Sequence, residues 1–193
     1  MSEVKFDKNA LTADNIVDFL EDLFARRGAE SYLGEQVSMA AHMLQSAMNA
    51  ENAGAEPALI AAALLHDVGH YTNEIPETAI AQGQNNYHEG AGARFLAQFF
   101  PAEVIEPIRQ HVDSKRYLCA VDADYFDCLS PASVHTLNLQ GGPMNEEEVR
   151  EFEKNPHLQA CTQLRRWDDA GKDPSLEYPD FQHFRPLLES LRK

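Results

Sequence analysis

The chain has 193 residues, 44% of them apolar, and 16 basic against 31 acidic side chains give it a formal charge of −15. That length buries a core without covalent staples, and no stretch approaches the ~20 consecutive apolar residues that cross a bilayer. A field of that sign opposes nucleic acid and anionic membrane, so neither is expected as a partner.

In chain order, residues about 12–27 carry Ile16, Phe19, Leu20, Leu23 and Phe24 at helical spacing, with Thr12 as N-cap and Gly28 as the stop. A second helix is predicted from about Gln36 to Asn52, ending near Gly54. It sets Val37, Ala41, Leu44 and Met48 on one face with His42 beside them. A third opens with Pro57 and is apolar almost all round as far as His66, the pattern of a buried central helix. Pro76, Gly83 and the polar run Gln82–Asn86 predict a long loop over 71–87, of a length that compact domains reserve for function.

A helix from about His88 to Phe99 follows, then Pro101 and a helix from about Glu103 to Lys115. Short helices are predicted near 122–128 and 131–139, and Gly141-Gly142-Pro143 is a turn. Helices near 145–154, 157–170 and 181–192 complete the chain, punctuated by Pro156, Gly171 and Pro174. No run alternates as a strand would, and nothing repeats. The expected fold is all-α, one domain over residues 1–193.

Cys119, Cys128 and Cys161 are odd in number and lack CxxC spacing, which argues for reduced thiols rather than a disulfide framework or a thiolate zinc site. The opening MSEVKFDKNA has no apolar core of a secretory signal, so the expected location is cytoplasmic.

Six residues stand out: His42, His66, Asp67, His88, His111 and Asp168. Each alone has an ordinary reading, as a hydrogen-bonded core histidine or a solvated helix end. The His66-Asp67 pair closing an apolar helix does not, because a buried aspartate needs a cation or donors. Imidazoles and carboxylates suit first-row metals of intermediate hardness. A carboxylate beside a ligating histidine can bridge two of them. The five segments involved would enclose such a site between packed helices.

In order, these residues read H…HD…H…H…D, which resembles the HD-domain superfamily, whose minimal signature is H…HD…D on a helical bundle. The two additional histidines mark the members that hold two metals. Spacing and flanking residues over roughly 30–170 resemble the small di-iron HD oxygenases that cleave the carbon–phosphorus bond of 1-hydroxy-2-aminoethylphosphonates. More distantly the chain is similar to myo-inositol oxygenase. The close family carries a Tyr-x-x-Glu pair, matched by Tyr32 and Glu35, and a histidine four residues after the HD histidine, matched by His70. Lys115 matches its lysine one turn after the fourth histidine, and Ser133, Thr136 and Arg165 match a Ser-x-x-Thr pair and an arginine three residues before the last aspartate.

The resemblance implies six metal ligands, His42, His66, Asp67, His88, His111 and Asp168, holding two iron ions as a mixed-valent Fe(II)/Fe(III) pair bridged by Asp67. Lys115, Ser133, Thr136 and Arg165 would bind the phosphonate. Lys115 lies at i+4 from His111 and Arg165 at i−3 from Asp168, so both share a helix face with a ligand. A cation there would repel the metals unless an anion sat between. Tyr32, Glu35 and His70 would act in catalysis and substrate binding. Tyr32 would occupy a metal position until substrate arrives, and Glu35 would face the substrate's nitrogen. His70 would be a hydrogen-bond partner behind the ligands or a phosphonate donor.

The expected partners are a small hydroxyphosphonate and O2. Tyr32, Tyr71 and Tyr87 with Glu35 and Glu89 argue for a quaternary ammonium, while Asn85-Asn86 argue for a primary amine. The expected reaction is oxidative cleavage of (R)-1-hydroxy-2-(trimethylamino)ethylphosphonate to glycine betaine and phosphate. The primary-amine homologue giving glycine is the alternative. The rivals are a metal-dependent HD phosphohydrolase, which would keep the ligand set but gives no reason for the Tyr32–Glu35 pair, and a non-catalytic HD module, which usually loses ligands where here all six are present.

Overall fold

The computed structural model describes residues 10–32, 34–72, 80 and 83–193. Among the described residues the helices are α1 (Ile16–Arg27), α2 (Met39–Asn52), α3 (Pro57–Leu65), α4 (Gly69–Thr72), α5 (His88–Leu96), α6 (Ala102–Val121), α7 (Pro131–Leu139), α8 (Glu146–Phe152), α9 (Leu158–Ala170) and α10 (Phe181–Leu191), with a 3-10 turn at Phe126–Cys128. Among the described residues the sole extended pairing is an isolated antiparallel bridge between Ser31 and Ser38. The fold is all-helical, as expected. No helix among the described residues is long and apolar enough to cross a membrane, and the three cysteines are free thiols.

Helix α3 is the axis of the bundle. Its residues from Ile60 to Leu65 are buried, and it packs against α2, α6, α9 and α10. Burial of Ile60, Leu64 and Leu65 alone is worth roughly 5–9 kcal/mol by area transfer. That apolar anchoring holds the polar pair His66-Asp67 in the interior. Helices α1 and α10 close one side, with the Phe24 and Phe181 rings 5.0 Å apart. A smaller apolar cluster of Met144, Phe152 and Cys161 lies under α8.

Several boundaries differ from the sequence reading for local reasons. Thr12 does not cap α1: its carbonyl accepts from the Asn15 and Ile16 amides, and the helix begins after Asn15. Helix α2 begins at Met39 because the Ser38 hydroxyl accepts from the Ala41 amide, while residues 34–37 before it form a turn and bends closed by the Ser31–Ser38 bridge. Helix α5 ends at Leu96, whose carbonyl accepts from the Phe99 and Phe100 amides in a closing turn ahead of Pro101. Helix α6 runs six residues past Lys115, because Ile108, His111, Val112, Lys115 and Leu118 continue one buried stripe. The helix expected near 122–128 reduces to the 3-10 turn. Within the predicted 71–87 loop, Tyr71 and Thr72 belong to α4 and residues 83–87 are non-helical. Residues 73–79 and 81–82, with Leu33 of the Tyr-x-x-Glu segment, lie outside the described residues.

Two close approaches set the site's shape. A Cβ at Gly69 would lie 1.9 Å from the His88 carbonyl oxygen, and Gly92 faces Gly69 backbone to backbone. This crossing of α4 on α5 lets the His70 and His88 rings stack at 4.0 Å. A Cβ at Gly171 would lie 2.4 Å from Ser46 Oγ and 2.9 Å from the His42 carbonyl, so the end of α9 sits directly on α2.

Candidate metal centre

The structure brings all six expected ligands together. His42 comes from α2, His66 and Asp67 from the turn ending α3, His88 from the first position of α5, His111 from α6 and Asp168 from α9. Each is at most 6% exposed.

The four imidazoles share one orientation. Each Nδ1 faces an oxygen: His42 the Gly171 carbonyl at 3.0 Å, His66 the Ala63 carbonyl at 2.8 Å, His88 the Asn86 Oδ1 at 3.0 Å and His111 the Ile108 carbonyl at 2.8 Å. An acceptor at Nδ1 places the proton there and leaves Nε2 as a lone pair. Those lone pairs meet two by two, His42 with His66 at 3.0 Å and His88 with His111 at 3.0 Å. Two facing acceptors repel unless a cation joins them.

Asp67 lies between the two pairs. Its Oδ2 is 3.5 Å from Nε2 of both His42 and His66, and its Oδ1 is 3.2 Å from His88 Nε2 and 3.5 Å from His111 Nε2. Asp168 joins the first pair, with Oδ1 3.4 Å from His42 Nε2 and Oδ2 3.8 Å from His66 Nε2. Both oxygens of Asp67 and Oδ1 of Asp168 are buried without a hydrogen-bond partner among the described residues. Such atoms are costly unless a cation compensates them. The donor set therefore fits two metal ions: His42, His66 and Asp168 form one cluster of suitable geometry, and Asp67, His70 and His88 another.

His70 differs from the other four. Its Nδ1 accepts from the Asn86 amide nitrogen at 3.3 Å, which puts its proton on Nε2, 3.8 Å from Asp67 Oδ1. It is thereby set as a donor at the second cluster, and His111 is the imidazole whose lone pair faces His88.

Electrostatics show the same hunger for positive charge. Burial opposes ionisation of Asp67 and Asp168, yet the His66 and His70 imidazoles hold Asp67, and Arg165 and His66 hold Asp168, well below the usual carboxylate range. Burial would keep His66 neutral, but Asp67 and Asp168 overcome it and raise His66 to about 9. Burial takes His42 and His88 down to about 3. A proton on His66 thus stands where a metal ion would.

Beside the cluster runs a narrow cavity lined by Tyr32, His70, His88, His111, Lys115, Ser133, Thr136, Arg165 and Asp168. Lys115 donates to Thr136 Oγ1 at 2.8 Å, and burial with Arg165 nearby lowers its ammonium to about 7. Arg165 donates to Asp168 Oδ2 at 2.7 Å and also meets Asp169 and Tyr125, so it orients the Asp168 carboxylate as well as lining the cavity. Tyr32 stacks on His42 with centroids 4.1 Å apart. Burial, reinforced by Asp67 and Asp168, keeps its phenol protonated. Glu35 accepts from the Ser130 hydroxyl at 2.5 Å.

Of the three tyrosines that argued for a quaternary ammonium, Tyr32 lines the cavity and the other two do not. Tyr71 packs under Arg27 with its hydroxyl on the Arg27 carbonyl, and Tyr87 is 59% exposed. The asparagines are likewise structural: Asn85 Oδ1 accepts from the Tyr87 amide, and Asn86 spans His70 and His88. Tyr87 has φ +51, an uncommon left-handed geometry for a side chain of its size, and that bend folds Asn86 back onto His88. Sequence reasoning missed the roles of Asn86 and of Tyr125 and Asp169 around Arg165, and it missed Lys172, which follows Asp168 by four residues just as Lys115 follows His111.

Residues 39–149 match the HD domain family, a span that includes five of the six clustered residues and stops short of Asp168. The chain is 49% identical over 187 residues, 97% of its length and 95% of the relative's, to 1-hydroxy-2-(trimethylamino)ethylphosphonate dioxygenase (glycine-betaine-forming) of Leisingera caerulea. It is 44% identical over 162 residues, 83% of this chain and 81% of the relative, to hydroxymethylphosphonate dioxygenase of Gimesia maris. An uncharacterized protein of Acanthamoeba polyphaga mimivirus is 33% identical over 175 residues, covering 89% of this chain and 80% of its own.

Proposed function

We propose that this chain, which belongs to the HD domain family and within it to the phosphonate dioxygenases, is a single-domain di-iron enzyme. Its reaction is cleavage of the C–P bond of 1-hydroxy-2-(trimethylamino)ethylphosphonate with O2 to give glycine betaine and phosphate. The atoms balance, since the carbon bearing the hydroxyl becomes the carboxylate and phosphorus leaves as phosphate with both atoms of O2 accounted for. The observation that carries the reading is Asp67, with one oxygen on each imidazole pair. His42, His66 and Asp168 would hold one iron, His88 and His111 the other, and Asp67 both. An iron pair supplies one-electron chemistry with dioxygen at the carbon bearing the hydroxyl.

The protein's own groups supply placement. The Lys115 ammonium with Thr136 and Ser133 offers a cation and two hydroxyls to the phosphonate oxygens. Arg165 keeps Asp168 ionised and pointed at the cluster. The His70 Nε2–H, fixed by Asn86, offers one more donor beside Asp67. Tyr32 and Glu35 line a small adjoining pocket that shares Tyr32, Ser133 and Thr136 with the cavity, and the nitrogen would lie there. Near-complete burial of the imidazoles keeps bulk water away. Against a phosphohydrolase, the reading is supported by identity to phosphonate dioxygenases over nearly the whole chain.

The test is anaerobic loading with iron, followed by oxygen uptake and product analysis with the hydroxyphosphonate. Stoichiometric oxygen consumption, phosphate and glycine betaine are expected. Phosphate release from a phosphate ester without oxygen uptake would replace the reading with hydrolysis.

A further inference from the structure

A second ammonium group lines the small pocket that adjoins the cavity. Lys172 donates to Ser133 Oγ at 2.8 Å, lies 3.4 Å from Glu35 Oε1 and stands 5.7 Å over the Tyr32 ring. Its side chain is 10% exposed. Carboxylate and aromatic face together are what an alkylammonium seeks, and here a resident one already has both. Tyr32 also stacks on His42, and among the described residues it is the one aromatic side chain lining that niche.

The placement is built by the backbone. The Gly171 carbonyl faces His42 Nδ1 at 3.0 Å. On the other side, Gln45 Nε2 donates to the Asp173 carbonyl at 2.8 Å, and the Asp173 amide donates back to Gln45 Oε1 at 3.1 Å. Lys172 is thus clamped to α2 on both flanks, and only its four-carbon stem is free to swing.

We propose that Lys172 is a specificity-determining residue: its ammonium fills the Tyr32–Glu35 niche and competes there with the cationic nitrogen of the substrate. A nitrogen-bearing phosphonate must push Lys172 off Glu35, whereas a phosphonate without nitrogen leaves the Lys172–Glu35 pair intact. The strength of that pair sets how far the enzyme prefers one substrate over the other. This rests on the phosphonate reading above and deepens it.

The experiment measures affinity, so it does not depend on turnover. Iron-loaded wild-type protein, Lys172→Met and Lys172→Arg are titrated anaerobically with 1-hydroxy-2-(trimethylamino)ethylphosphonate and with hydroxymethylphosphonate. In Lys172→Met the affinity ratio, nitrogen-bearing over nitrogen-free, should rise about tenfold, the effect of removing one charge competitor of ~1.4 kcal/mol. Lys172→Arg should keep the wild-type ratio. An unchanged ratio, or equal weakening of both ligands, overturns the inference; equal weakening would make Lys172 a phosphonate holder instead. A crystal structure of the wild-type anaerobic complex checks the same point without a variant: Lys172 should have left ion-pair distance of Glu35, and finding it still there overturns the inference. Absence of oxygen uptake by wild-type enzyme with both substrates would strike the functional reading, while the affinity ratio still decides the role of Lys172.

Discussion

Asn86 accepts a hydrogen bond from His88 Nδ1 at 3.0 Å through Oδ1, and this contact decides which nitrogen of His88 is left to bind a metal. Replacing Asn86 with Leu removes the acceptor and the lock on the ring. Loss of such a partner typically costs 10–100-fold in metal affinity. Iron retained against a chelator should fall at the His88–His111 side and persist at the His42–His66 side. Full retention at both would remove Asn86 from the metal's support.

Gly69 is predicted to be intolerant of any side chain. A Cβ there would meet the His88 carbonyl at 1.9 Å, and backbone cannot rotate aside as a side chain can. Gly69→Ala should destabilise the fold by ~1–3 kcal/mol or more. Gly90→Ala is the control, since its new Cβ meets only the flexible end of Arg94 at 3.2 Å. Denaturant midpoints of the two variants should differ clearly, and equal midpoints would contradict the tight α4–α5 crossing.

Metal loading should depend on pH through His66, raised to about 9 by Asp67 and Asp168 against burial. A metal at Nε2 must displace that proton. Apparent affinity should therefore climb about tenfold per pH unit from 6 towards 9 and level off above it. Competition titration with a metal indicator at several pH values measures the slope, and a flat profile would mean that no proton occupies the site.

Phosphonate binding should show the opposite slope. Lys115, lowered to about 7 by burial and by Arg165, carries its charge below that pH and loses it above. Affinity for a dianionic phosphonate should be steady below about 7 and weaken by up to tenfold per unit above it. Lys115→Met should bind at least ~10-fold more weakly at pH 6, lose this slope and keep its iron. Parallel loss of iron would assign Lys115 to the metal centre instead.

How much of this was readable from sequence differs by residue. His66-Asp67 was conspicuous because two polar groups closing an otherwise apolar helix need a physical reason. Asp168 gave no such signal alone; beside Asp169 it reads as a helix end, and only the order of the other five residues drew it in. Arg165 was legible as a cation near the site, but its hold on Asp168 and Asp169 required the packing of Tyr125. Lys172 was hidden because Gly171 ends α9 before it, so helical spacing no longer predicts its direction. Tyr71 and Tyr87 misled for a related reason: nearness in sequence to a ligand says nothing of which way a ring turns. Helix ends were the weakest reading, since local contacts settle them, such as the Ser38 hydroxyl that accepts from the Ala41 amide at the start of α2.

The most direct test of the account is the iron stoichiometry and magnetic coupling of anaerobically reconstituted protein, wild type beside Asp67→Ala. Two irons per wild-type chain, spin-coupled through a shared carboxylate, and loss of the coupled pair in Asp67→Ala are predicted. One iron per chain, or two that remain uncoupled and survive removal of Asp67, would contradict it.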